Sequence, residues 1–398
     1  MSVGVYAPGR VNLLGEHVDY NGGFVLPAAI DRYLRIIAQP VDGDVITLNA
    51  LDLQQQVSFK IANLEVKQTL TGEPLPGWAL YPAGVCWALT RQGFHPQAVT
   101  AEYTSTIPSG AGLSSSAAIE TAFGLLWQVL GDWQIDRMKL AEICLDAEIN
   151  YVGVNCGIMD QFACLHGQAG HVLFLDTQTL EWEAIPFPDT TLVVANTGTI
   201  HQLGAPSISQ YNQRRNECEQ AFRMLMQVLP GIQSLRYVTP DELGEFEHVL
   251  PVILRKRARH VVEECRRVQI AADCLRRQEW REFGNLMVAG HASLRDLYDV
   301  SSPELDALVE IAAGLPGCLG ARLTGAGFGG CTINLVDRNF LEPFIAGLGE
   351  GYRRMTGREA GIFSVKTSRG AWVENIINPL SPFHSREGTG GWVISGNW

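Results

Sequence analysis

Pro108-Ser-Gly-Ala-Gly-Leu-Ser-Ser-Ser-Ala-Ala118 is the stretch on which the reading of this chain turns. It follows the β-rich run AVTAEYTST and opens an apolar segment whose spacing predicts a helix over 115–130. Its glycines let the backbone approach a ligand closely, and successive N–H groups at a helix start form an anion cradle. Three serines add hydroxyls suited to phosphate oxygens or to a divalent cation. The same residues suit a plain strand-to-helix turn capped by serine, so the stretch alone leaves both readings open. A Walker A loop is excluded. The chain has five lysines, at 60, 67, 139, 256 and 366, and none follows a glycine.

Outward from this loop, strand-like and helical segments mix without a regular β-α-β alternation. VITLN (45–49), HVLFLDT (171–177), TLVVAN (191–196), ARLTG (321–325), CTINLV (331–336) and FSVKTS read as strands. Helices fit 78–92, 136–151, 207–228, 251–278, 279–296, 303–313 and 338–355. The mixture favours an α+β fold over a doubly wound sheet. EWEAIPFPDTT carries two prolines and breaks both periodicities, which puts a domain boundary near 180–190. The turn-rich stretch from 378 to 398 reads as an appended tail.

Two further segments concentrate chemistry. Ala7-Pro-Gly-Arg-Val-Asn-Leu-Leu-Gly-Glu-His-Val-Asp-Tyr-Asn-Gly-Gly23 sets Arg10, Asn12, Glu16, His17, Asp19 and Asn21 among glycines. Polar groups at that density are costly to order unless they bind something, and carboxylates among amides and an imidazole suit a polyhydroxylated ligand. An exposed polar turn is the alternative. Gly325-Ala-Gly-Phe-Gly-Gly330 matches G-x-G-x-x-G, but a strand follows it, not the helix a dinucleotide site needs. Too little chain remains after it for a protein kinase's catalytic segments. Asp146, Glu148 and Asp160 form a third constellation. Asp160, within CGIMDQF (156–162), stands in apolar surroundings, where a partner such as Arg10 would keep it ionised.

Composition narrows the classes. The 398 residues are 46% hydrophobic and 18% charged, an ordinary globular mixture, with a net charge of −12. Such a chain repels nucleic acid and anionic membrane, so any anionic ligand must be held by a local device. RKRARH (255–260) reads as a solvated helix face, ion-paired in part, not as a nucleic-acid patch. No apolar run reaches the ~18 residues of a membrane span. Nine scattered cysteines without C-x-x-C, and no leader-like start, imply reduced thiols and a cytoplasmic protein.

Taken together, the segments resemble the GHMP small-molecule kinases, and among them the galactokinase family. Residues 9–23 are similar to the signature G-R-V-N-L-[IL]-G-E-H-x-D-Y-N-G-G, with Val18 at the usual threonine. IPSGAGLSSSAA is similar to the second motif and LTGAGFGGC to the third. The resemblance spans roughly residues 5–373, through CGIMDQF, YNQRRNEC (211–218), RARHVVEE (257–264) and GHASLRDLYDVSSPELD (290–306). It implies a two-domain GHMP kinase fold with the active site in the cleft between the halves. The N-terminal half would be like ribosomal protein S5 domain 2 and the C-terminal half ferredoxin-like. The expected divisions are 1–185, 186–373 and a tail at 374–398.

The resemblance further implies transfer of a phosphoryl group from ATP, with Mg²⁺, to the C1 hydroxyl of galactose. The products would be galactose 1-phosphate and ADP, in the first committed step of the Leloir pathway. Asp160 would act as the base or orient the hydroxyl, and Arg10 would pair with it and stabilise the transferring group. Glu16, His17, Asp19, Gly157, Asp160 and Tyr211 would contact the sugar. Gly110, Ala111, Gly112, Leu113, Ser114, Ser115 and Ser116 would wrap the phosphates. Ser116 and Glu148 would hold Mg²⁺, and Trp78 and Tyr81 would lie near adenine. Gly325–Gly330 would shape the pocket between the domains. A monomer or weak homodimer is expected, with galactose and ATP as its small-molecule partners. A kinase for N-acetylgalactosamine or arabinose, or a non-catalytic sugar sensor, is the alternative. Such sensors are damaged in the second motif, which is uninterrupted here. Departures from the family pattern are Ile200 in TGTIHQLG, Gly290 at a frequent serine, and a start almost at the first motif. The short lead-in implies a changed pocket lid or stability.

Overall fold

The structure, a computed structural model, describes residues 2–108, 110–187, 190–199 and 205–376. Ser109, Ile200 and the stretch from 377 to 398 therefore lie outside the described residues.

The chain opens with β1 (Ser2–Asn12), followed by the short β2 (Phe24–Val25), β3 (Pro27–Pro40), β4 (Val45–Ala50) and β5 (Gln55–Lys60). Then come α1 (Gly77–Arg91), β6 (Val99–Ser105), α2 (Ser115–Leu130), α3 (Arg137–Asp146) and α4 (Met159–His166). β7 (His171–Asp176) and β8 (Trp182–Pro186) end this half. β6 shows why such runs become strands: Val99, Ala101 and Tyr103 are buried while Thr100 and Glu102 face water. β1, β3, β6, β4 and β5 lie side by side in that order, and α2 and α4 pack on β1 and β3. β2, β7 and β8 form a second, smaller sheet.

The next half runs β9 (Thr190–Asn196), α5 (Ala205–Leu225), α6 (Pro240–Phe246), α7 (Val252–Arg277), α8 (Trp280–Ser293) and α9 (Pro303–Gly314). β10 (Cys318–Thr324), β11 (Cys331–Asp337), α10 (Leu341–Thr356) and β12 (Gly361–Val365) follow. The sheet order is β10-β11-β9-β12 with every pair antiparallel, the ferredoxin-like arrangement of two β-α-β units. β9 is apolar throughout its middle because both of its faces are covered. Leu192 and Val194 join the main core, whereas Val193 and Ala195 join a second core under α9 and α10.

Three expectations change. The 136–151 helix ends at Asp146 and continues as a π-helical turn over 147–152, closed by Gly153 N–H donating to the Glu148 carbonyl at 2.9 Å. The first motif is only half turn: Arg10 and Asn12 lie on β1, buried against β3. The boundary at 373/374 falls inside β13 (Trp372–Ile376), which returns to pair with β1. Without that return the outer edge of β1 would carry unpaired N–H and C=O groups, and Trp372 stacking on Tyr6 at 4.8 Å holds the cover in place. Residues 374–376 thus belong to the first sheet.

Candidate functional site

Arg10 is the anchor. It stands on β1 just past a register shift at Pro8/Arg10, and its N–H donates to the Leu113 carbonyl at 3.1 Å. Its guanidinium donates Nε to Asp160 Oδ1 at 2.7 Å and Nη2 to Oδ2 at 2.8 Å, a bidentate pair. Nη1 donates to the Gly112 carbonyl at 2.7 Å. Arg10 is buried, while Asp160 keeps 26% of its side chain exposed, so the carboxylate is the reachable member. Asp160 lies in the first turn of α4, a helix packed on β1.

The glycine loop fits beneath this pair. Gly110, Gly112 and Ser114 take φ of 65°, 72° and 61°, an alternation that turns the chain sharply into α2. Ser114 makes no capping bond at the helix start; its hydroxyl instead donates to Asp160 Oδ2 at 2.5 Å. Third-motif residues close the loop from the other domain. A side chain on Gly325 would meet the Gly112 carbonyl at 2.6 Å, and one on Gly330 the Ala111 carbonyl at 3.1 Å.

Acidic groups converge on the same place. Asp19 is pushed up to about 6 by burial and by the charge of Asp160, with Tyr20 and Arg10 pulling the other way. Gly157 abuts Asp19: a Cβ there would lie 2.3 Å from its Oδ2. Burial, with Asp19 among the neighbours, raises the Tyr211 phenol well above its ordinary value, and its ring lies 5.3 Å from that of His17. Glu148, on the π-turn, is pushed up to about 7 by burial and Asp160, against hydrogen bonds from Cys156, Gln161 and Ser116. Ser116 and Glu148 are therefore side by side.

The other candidates have partners within the fold. Glu16 is 1% exposed and ion-paired with Arg322, itself bound to Glu264 Oε1 at 3.0 Å. His17 uses both ring nitrogens: Nε2 donates to the Ala326 carbonyl at 3.0 Å, so Nδ1 accepts from Tyr20 Oη at 2.8 Å. Burial and nearby positive groups hold its ring down at about 3, hence neutral. Trp78 is buried and donates its indole N–H to Gln55 at 2.6 Å. Burial raises the Tyr81 phenol, with Glu148 and Glu120 contributing, which sets it beside the acidic pair. RKRARH is engaged within the fold, with Arg257 donating to Glu217 at 2.7 Å and Arg259 pairing with Glu247.

Sequence reasoning missed Glu120, Gln161, Tyr20, Tyr298 and Arg322. Tyr20, Gln161 and Tyr298 stand inside motifs that carry the family resemblance, and Glu120 lies one helical turn beyond Ser116, so each had a signal in the sequence.

Comparison with known proteins bears on this geometry. The galactokinase galactose-binding signature matches residues 2–40, the GHMP kinases N terminal domain 81–168 and the GHMP kinases C terminal domain 271–349. A galactokinase of Roseiflexus sp. (strain RS-1) is 44% identical over 378 residues, covering 95% of this chain and 94% of that protein. The chain belongs to the galactokinase family. A family member from Chloroflexus aurantiacus is 40% identical, covering 89% of this chain and 88% of its own. The crystal structure of Lactococcus lactis galactokinase complexed with galactose superposes with a TM-score of 0.87 at 33% identity, covering 93% and 95% of the two chains. A mevalonate kinase, at 19% identity and a TM-score of 0.60, shares the GHMP fold alone. The two-domain α+β fold is thus that of the galactokinases, and the protein is a kinase of this family.

Proposed function

We propose that the protein transfers the γ-phosphoryl group of ATP to the C1 hydroxyl of galactose, giving galactose 1-phosphate and ADP. The observation that carries this reading is the bidentate Arg10–Asp160 pair at the mouth of the glycine loop. Phosphoryl transfer asks mainly for positioning and charge neutralisation. Asp160 accepts the hydrogen bond of the C1 hydroxyl and takes its proton as the new O–P bond forms. Arg10 holds that carboxylate in orientation through two hydrogen bonds, and its charge offsets the negative charge spread over the transferring group. Asp19, Gly157 and Tyr211 line the sugar side. Backbone N–H groups from Gly110 to Ser116 and the N-terminus of α2 face the phosphates.

Ser116 and Glu148 are the residues that would hold Mg²⁺. Their hydroxyl and carboxylate oxygens are the hard donors this ion prefers, and buried Glu120 Oε1 and Gln161 Oε1 beside them have no hydrogen-bond partner. When bound, the ion neutralises phosphate charge. His17 and Glu16 enter this reading as residues that shape the pocket from behind, and Trp78 as core packing near the nucleotide side. Nine free cysteines support a reducing cytoplasmic setting. No described helix is long and apolar enough to cross a membrane. A monomer or weak homodimer completes the reading.

The deciding experiment is ATP- and Mg²⁺-dependent phosphorylation of galactose, N-acetylgalactosamine, arabinose and glucose by the intact protein. Galactose is expected to show the highest kcat/KM. Preference for another sugar would overturn the substrate, and sugar binding without turnover would overturn the catalytic reading.

A further inference from the structure

We propose that Gln161, braced by Glu120, is a positioning residue that presets Glu148 for a divalent cation at the glycine loop. This rests on the reading of Glu148 as a Mg²⁺ ligand.

Successive residues on a helix point about 100° apart, so the first turn of α4 can serve two directions at once. Asp160 goes to Arg10, and its neighbour Gln161 goes to the acidic pair. Gln161 Nε2 donates to Glu148 Oε2 at 2.6 Å and to Glu120 Oε2 at 2.9 Å, which commits both amide hydrogens. Cys156 Sγ donates to the same Glu148 oxygen at 3.2 Å. One oxygen of Glu148 is thereby tied from α4 and from the segment before it, while the Ser116 hydroxyl bonds the carboxylate from the first turn of α2. Glu120 ties the device to α2, one turn beyond Ser116, and is fully buried.

A purely structural role explains this cluster poorly. Two buried carboxyl groups and an amide, with Glu120 Oε1 and Gln161 Oε1 unpartnered, are worse for stability than apolar side chains of the same volume. The arrangement makes sense if its product is a carboxylate that no longer rotates. Hydrogen-bonded partners of ligating carboxylates act in this way at metal sites, and losing one typically weakens metal binding by about 10- to 100-fold.

The test is the Mg²⁺ dependence of ADP binding, followed by calorimetric titration so that no turnover is needed, with galactose binding measured alongside. Gln161→Met is expected to raise the Mg²⁺ needed for half-maximal ADP binding about tenfold or more, while galactose affinity stays with the parent. A folded Gln161→Met protein with the parent's Mg²⁺ requirement would overturn the proposal. If that variant does not fold, Glu120→Gln and Glu120→Leu decide. Gln still offers an oxygen to Gln161 and should keep the Mg²⁺ requirement near the parent's, whereas Leu should raise it; equal requirements overturn the proposal. Glu148→Ala separates the two levels. If it too leaves the Mg²⁺ dependence unaltered, the ligand assignment itself fails; if it abolishes that dependence while Gln161→Met does not, only the positioning role fails.

Discussion

Arg10 meets two demands with one side chain, orienting Asp160 and holding the Gly112 carbonyl, and in the proposed reaction it would also bring positive charge to the transferring group. Asp160→Asn replaces the carboxylate, the proton acceptor of the proposed reaction, by an amide of the same shape. A loss in kcat of at least about 10²-fold is expected, read in a steady-state assay, with galactose binding retained. Near-normal turnover would contradict the assignment. His17 shows how a residue of the same motif can serve differently. Its Nδ1 accepts from Tyr20, whose oxygen lies 2.8 Å from that of Tyr298, and Tyr298 lies 3.1 Å from the Cys218 thiol. The thiol therefore donates to Tyr298, Tyr298 to Tyr20, and Tyr20 to the ring. With the folded value near 3, far below the free value of 6.5, the ring stays neutral from pH 6 to 8. Nitrogen-15 NMR should show a single tautomer protonated at Nε2 and no titration across that range. The sign for stability follows: the contribution is fully present above 6.5 and falls away as pH drops below it, because only the unfolded chain then takes the proton.

Among the elements, the glycine loop and the third motif are built as a pair. Gly325 takes φ of 84°, and a Cβ there would press on the Gly112 carbonyl, the group that Arg10 Nη1 binds. Gly325→Ala combines a left-handed backbone with that contact, so a cost of about 1–3 kcal/mol is expected. It should appear as a lower melting temperature together with weaker ADP binding. An unchanged ADP affinity would mean that the loop does not feel its neighbour. Two π-turns, after α3 and after α8, place Glu148 and Tyr298. Helical periodicity found both helices but not these turns, because an extra residue in one turn leaves the pattern of apolar positions nearly intact. β1 and β3 escaped notice for another reason. Arg10 and Asn12 interrupt the apolar alternation of β1, and the motif's glycines read as turns.

Across the whole molecule, the two halves meet through buried charge. Arg322 on β10 joins Glu16 of the first motif to Glu264 of α7, and Glu264 also pairs with Arg267 and accepts from Gly15 N–H at 2.9 Å. Burial pushes Glu16 up to about 7, against the pull of Arg322. Burial opposes ionisation of Glu264 too, yet Arg322 and Arg267 bring it down to about 2. Arg322→Ala would take the ion-pair partner from buried Glu16 and leave Glu264 with Arg267 and the Gly15 N–H. A loss of about 3–5 kcal/mol is expected, measured by urea denaturation. A loss below about 1 kcal/mol would show that the network adds nothing net to the junction. Gly290 lies against this guanidinium: a Cβ there would approach Arg322 Nη1 to 2.8 Å.

Much of this molecule was legible in the residues alone. The α+β class and most helix limits follow from local pattern, and the family, with the Arg10–Asp160 pair it implies, from the motifs. Periodicity and turn chemistry act over a few residues, and a motif preserves its own spacing. The rest came from contacts between distant segments. Ser114 turning from its helix to Asp160, Gln161 bridging Glu120 and Glu148, His17 serving Ala326, and β13 closing the edge of β1 all join residues far apart in the chain. Which of a polar side chain's partners wins depends on burial, and burial exists only once the two halves have closed on each other.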